Sequence, residues 1–138
     1  MAIARNTTAE TIKPLVNGGA IVRRYTAGAA VAAGEIVAMQ SDGYVDPANT
    51  TSGFMQPVGI AVQAATAAGQ VIDVVTFGPV VCITGGTPGA VVYASDTAGE
   101  PAESAGTNLA IVGWVEAATV VFVNPVPVEV SVDGHTHA

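Results

Sequence analysis

The residues of this chain that could do chemistry are few, and most stand alone. Asp133-Gly134-His135-Thr136-His137 holds both histidines. Two histidines separated by one residue point the same way in an extended chain, and neutral imidazole is a ligand for transition metals. One chain offers too few ligands for a closed site, whereas three chains meeting on a threefold axis would bring six imidazoles together. His135 and His137 are therefore a candidate metal site of an assembly, and otherwise a plain chain end. Cys82 is the sole cysteine and stands in Pro79-Val80-Val81-Cys82-Ile83. It has no partner for an internal disulfide and no histidine near it in sequence, so it reads as a small buried hydrophobe. Glu116 is the one acid in an apolar run, Gly113-Trp114-Val115-Glu116. A tuned catalytic carboxylate is one reading; an outward strand position alternating with Val115 fits the pattern better. Gly85-Gly86-Thr87-Pro88-Gly89 is glycine-rich, but Pro88 lacks the N–H that a phosphate cradle uses. No Lys after position 13 completes a phosphate loop. A Ser-His-Asp triad would have to borrow a histidine from the chain end. The expectation is a protein that is not an enzyme and needs no cofactor.

The charges point the same way. Only 11% of the residues are charged and half are hydrophobic, against a usual charged share of about 25%. A small protein so poor in charge is expected to expose apolar patches that an assembly covers. All four basic residues, Arg5, Lys13, Arg23 and Arg24, fall in the first 24 positions, where only Glu10 opposes them. Every later charge is acidic. Nucleic-acid binding needs a basic stripe for phosphates, and the body has none. No stretch approaches the roughly 18 apolar residues of a membrane helix, and Met1–Gly18 has no apolar run long enough for a secretory signal. Neither nucleic acid nor membrane is an expected partner, and synthesis in a cytoplasm is expected.

The elements that must position these residues are strands. The chain has 23 Val but only two Leu, Leu15 and Leu109, with 16 Gly and eight Pro. Val suits a pleated, half-buried surface, and Gly and Pro supply turns. The expected strands are 20–25, 35–40, 58–63, 70–77, 80–83, 90–94, 110–116 and 119–123. The turns between them include Ser41-Asp42-Gly43 and Asp96-Thr97-Ala98-Gly99. The 138 residues thus read as an all-β domain, a small β-barrel or β-sandwich-like body over 19–124. Residues 1–18 read as an extended N-terminal arm, polar at Asn6-Thr7-Thr8 and interrupted by Pro14. Residues 45–57 and 95–108 read as exposed loops. At the other end Val126, Val128, Val130 and Val132 alternate with Pro127, Glu129, Ser131 and Asp133. That period of two predicts an extended C-terminal strand over 125–138. Its prolines place the start of the strand at an edge, where it either completes its own sheet or pairs with a neighbouring subunit.

Several segments carry a family resemblance. Pro57-Val58-Gly59-Ile60-Ala61-Val62, then 65–69, then Gln70-Val71-Ile72-Asp73-Val74-Val75-Thr76-Phe77-Gly78-Pro79-Val80-Val81 resembles the "VGIA" strand and following hairpin of the tailed-phage capsid cement, or head decoration, family. Gly89-Ala90-Val91-Val92-Tyr93 is similar to the family's "G-x-x-V-Y" strand. Ile111-Val112-Gly113-Trp114-Val115 with Val120-Val121-Phe122-Val123 is similar to its closing strand pair. Upstream, Ala30–Val37 is similar to its "A-x-A-G-E-x-V" segment. The likeness spans roughly 19–124 and leaves out both ends. It implies a β-barrel-like domain, usually a homotrimer, on the outer surface of the virion's capsid. There it would bridge neighbouring copies of the major capsid protein without a cofactor. On that reading the arm is the capsid-binding segment, through Arg5 and Lys13 and through Ile3, Ile12, Leu15 and Val16, and its deletion would leave a folded body. The competing reading is a head-fibre or adhesin-type module displaying the loops 45–57 and 95–108.

Overall fold

A computed structural model of the chain describes residues 3–51 and 56–127, and the statements below concern these. Among them are twelve strands: β1 (Ala4–Arg5), β2 (Lys13–Pro14), β3 (Ile21–Thr26), β4 (Ile36–Met39), β5 (Val45–Pro47), β6 (Gln56–Ala61), β7 (Val71–Val81), β8 (Ile83–Thr84), β9 (Val91–Ala94), β10 (Pro101–Ala102), β11 (Ile111–Ala117) and β12 (Val120–Val123). Helical structure among the described residues is confined to two 3-10 turns, Ala9–Thr11 and Val16–Gly18. The fold is all-β, as the composition predicts. The principal ladder runs β10-β9-β11-β12-β7-β6-β4-β5, with β2 and β3 also on β7 and a separate β1-β8 pair. These named pairs are antiparallel. The ladder does not close on itself, so the barrel alternative does not hold and the sandwich-like one does.

β7 organises the molecule. Sequence alternation breaks at Val74-Val75, and both side chains are fully buried. They face opposite sides: Val75 and Val80 join a large apolar cluster with Ile36, Ile60, Ile83, Val112, Val115 and Val121. Val74 and Ile72 join a smaller one with Val31, Val37 and Val45. β3 and β6 both pair with Val74 and Val75, so they flank β7 on opposite edges; β2 and β12 do the same at Val80 and Val81. The expected break between strands 70–77 and 80–83 is absent, because the chain takes an irregular step at Gly78 and continues. Gly78 has φ +100°, and a Cβ there would lie 2.7 Å from Ala20 Cα, a combination only glycine relieves.

The N-terminal segment corrects the reading of 1–18 as a separate arm. Ile3 and Ile12 are 8% and 6% exposed and belong to the large cluster. Residues 4–5 pair with β8 and residues 13–14 with β7. Leu15 N donates to Pro79 O at 3.0 Å, and β3 then continues down β7 from Phe77 to Val71. The segment is part of the domain. The physical reason is local: two-residue strands show no period, and their pairing is supplied by residues 66 to 80 positions away.

The two expected loops hold short strands, β5 and β10, and are tied to each other. Gly99 N donates to Ala48 O and Thr50 N to Ser95 O. Asp96 accepts from the Thr50 and Thr107 hydroxyls and from Thr107 N, and Asn108 Nδ2 donates to Thr50 O. These hydrogen bonds favour the ionised carboxylate and hold Asp96 below the usual aspartate range. At the C-terminal end, Asn124 N and Val126 N donate to Val112 O and Ile111 O, so the chain follows β11 as far as Val126. Val128, Val130, Val132, His135, His137 and Phe54 lie outside the described residues.

Candidate interaction surface

A sheet with one solvated face should be apolar inside and polar outside. Here β11 and β12 depart from that. Val112, Val115, Val121 and Val123 point into the core, fully buried, while the intervening Trp114 and Phe122 face outward. Directly paired residues share a face, so register maps the rest. Trp114 stands opposite both Phe122 and Val91, Phe122 opposite Pro79, and Ile21 opposite Phe77. The rings touch: Trp114 stacks on Phe122 at 5.0 Å and 20°, and Phe77 meets Phe122 edge-on at 5.2 Å and 82°. The result is an aromatic strip across β9, β11, β12, β7 and β3. Trp114 is 40% exposed, Phe77 43% and Ile21 53%. Offset stacking and edge-on contact fix the three rings against one another, so the strip is presented ready-made on paired strands.

The six residues proposed from sequence for capsid binding are separated by the fold. Ile3 and Ile12 are in the core and are not available to a partner. Arg5 is turned inward: its Nε donates to Glu100 Oε2 at 2.7 Å and its Nη1 to Ala33 O at 3.2 Å. Leu15 is half-buried. Lys13 and Val16 remain exposed, and both border the strip. Lys13 lies opposite Val81 on the Pro79 face of β7. The turn Val16–Gly18 leans on the Pro79 ring, since a Cβ on Gly18 would sit 3.1 Å from Pro79 Cγ. The sequence reading missed Trp114, Phe122 and Phe77 as surface residues. The signal was present as alternation with the buried Val115, Val121 and Val123, but aromatic residues at alternate positions read as strand structure alone.

The titratable groups are bound up in structure. Glu35 accepts from Ala32 N at 2.8 Å, and burial raises its carboxyl above the usual range, offset in part by that hydrogen bond and by Arg5. With Arg5 and Glu100 it forms a partly buried charged cluster that pins the N-terminal segment near β10. Cys82 is fully buried, and desolvation pushes its thiol up to about 12; a nucleophilic thiol needs the opposite shift. Glu116 is exposed on the Trp114 face. Among the described residues no group of three or more His, Cys, Asp or Glu is placed to hold a metal ion, and no helix is long and apolar enough to cross a membrane.

No protein-family model matches this chain, and no curated protein matches it.

Proposed function

We propose that the chain is a structural virion protein that binds the outer surface of a tailed-phage head as a homotrimer and cements neighbouring major capsid subunits. The observation that carries this reading is the aromatic strip. A preformed row of Trp114, Phe122 and Phe77, edged by Ile21 and Val91 and bordered by Lys13, has the composition of an interface centre: aromatic, poor in charge and rigid. The motif resemblance over 19–124 supplies the partner. The mechanism is mechanical. Each copy adds a modest apolar contact, and repetition over a lattice turns modest contacts into a shell that resists internal pressure. No bond is made or broken and no cofactor takes part.

The test is decoration of expanded capsids. Purified Trp114→Ser/Phe122→Ser protein is titrated onto undecorated heads beside the parent chain. Removing an aromatic anchor from an interface centre costs about 2 kcal/mol or more, a loss of roughly 30-fold in affinity. Undiminished decoration by the double variant would reject the strip as the capsid face.

A further inference from the structure

We infer that the outer edge of β3 is an acceptor for the C-terminal segment of a second copy of this chain, residues 128–133 adding to it as an extra strand. The inference does not rest on the capsid reading, because it concerns contacts between copies and is tested on the protein alone.

The argument begins with sheet edges. An unpaired edge is a template for another strand, and proteins blunt such edges by keeping them short or by placing Pro and charge on them. Two of the edges here are blunted. β10 is two residues long and starts with Pro101; β5 is three residues long, carries Asp46 and ends with Pro47. β3 is longer, with six residues, Ile21-Val22-Arg23-Arg24-Tyr25-Thr26, and no proline. Its one protection is charge of a single sign, Arg23 and Arg24, which turns away a second β3 but admits an acidic strand. Among the described residues it pairs with β7 alone, and only past its end does Ala27 bridge to Val45. In an antiparallel ladder every second residue turns its N–H and C=O away from the partner strand, so β3 offers a row of unused main-chain groups. Its side chains suit company: Ile21 and Val22 are exposed, and so is Val71, opposite Thr26.

The occupant follows from chemistry and reach. Arg23 and Arg24 give this edge half of the chain's basic charge, and Asp73 meets Arg24 only at 3.4 Å with the Arg24 side chain 80% exposed. The strand that fits is therefore extended, apolar on one face and acidic. Val128-Glu129-Val130-Ser131-Val132-Asp133 is such a strand, with a period of two, two acids and the same length as β3. A neighbour rather than the same molecule supplies it, because of how the chain leaves the domain. Val126 is held to Ile111, at the start of β11, with β12 and β7 lying between β11 and β3. Pro125 and Pro127 fix their own φ, and Asn124 and Val126, each before a proline, are confined to extended conformations. Held extended over 124–127, the chain runs on along β11 and makes no turn toward its own β3 within the described residues.

The experiment is a charge exchange in the full-length protein, read by sedimentation over a concentration series at low salt. The parent chain should self-associate. Arg23→Glu/Arg24→Glu should weaken association about tenfold or more, Glu129→Arg/Asp133→Arg should do the same, and the four substitutions together should restore it to within about threefold. Salt should narrow these differences, since Arg23 and Arg24 are exposed. Arg23 and Arg24 are exposed and lie outside the core clusters, so the melting curve of that variant should coincide with the parent's. A chain that stays monomeric, reversals without effect on association, or a fourfold variant no better than its parents would each overturn the inference.

Discussion

Two sets of large apolar side chains trade the places their local sequence suggests. Ile3 and Ile12 sit in short, polar, strand-poor stretches and end in the core. Trp114 and Phe77 sit in the middle of the longest strands and end on the surface. The difference is one of what each segment has to pair with. A strand buried through one face leaves its alternate side chains outside whatever their type, so β11 buries Val115 and must expose Trp114, while an irregularity between Ile111 and Gly113 turns Val112 inward as well. A two-residue strand such as β1 or β2 has no second face to lose, and a single isoleucine beside it can fill a gap in the cluster below. Apolarity alone therefore does not place a side chain in the core; pairing decides which face it takes.

That contrast can be broken most severely at the N-terminal segment. Deleting residues 2–16 removes Ile3, Ile12, β1, β2 and the Arg5 contacts. At about 2–5 kcal/mol for each buried isoleucine, the loss approaches the whole stability of a small domain, about 5–15 kcal/mol. Urea titration followed by circular dichroism should show no cooperative transition, and Ile12→Ala alone should lower stability by about 2–4 kcal/mol. A truncated chain melting like the parent would restore the separate arm. The next largest effect is alkaline. The Cys82 thiol is raised from 9.0 to about 12 by burial, so the folded state holds the neutral form where the unfolded chain ionises. The contribution is complete below pH 9 and is lost between pH 9 and about 12, by roughly 1.4 kcal/mol per pH unit. Stability of the parent minus that of Cys82→Ala, measured by denaturant titration at several pH values, should fall across that window and be flat below it. Arg5→Ala should cost less, about 1 kcal/mol, because its partner Glu100 is one-third exposed and screened by water. The smallest effect belongs to the strip. Trp114→Ser forfeits one stacked contact and should change stability by about 1 kcal/mol or less, against the large loss of capsid affinity proposed for the strip. A collapse of folding in that variant would mean that the ring is core after all.

The strands were legible because Val at period two, between glycine turns, leaves few alternatives: the eight expected strand regions are all strand, with 70–77 and 80–83 fused. Glu116 was legible for the same reason, taking the outward face that alternation with Val115 assigns, and Cys82 because a lone cysteine in an apolar run is buried. The fusion through Gly78-Pro79 was hidden because a Gly-Pro pair between apolar runs reads as a turn, and only the neighbouring Ala20 backbone and β12 reveal the irregular step. The tie between the two loops was hidden too. Asp96, Thr50 and Thr107 are ordinary turn residues until the fold sets residues 46 positions apart within hydrogen-bond distance. The aromatic strip was half legible, since the alternation named its residues but not the emptiness above them.

The central position of β7 also sets a clock. Neither cluster is complete without it, and β3, the first long strand made, has no partner until Val71–Val81 exists. At ribosomal rates of about 5–20 residues per second, roughly 3–10 s separate the synthesis of Thr26 from that of Val81. Through that interval an apolar, proline-free strand waits unpaired, and pairings between such distant segments close slowly even once both are present. Arg23 and Arg24 then have a second use. Placed side by side on the waiting strand, they repel the same strand on neighbouring nascent chains and keep it in solution until its partner arrives.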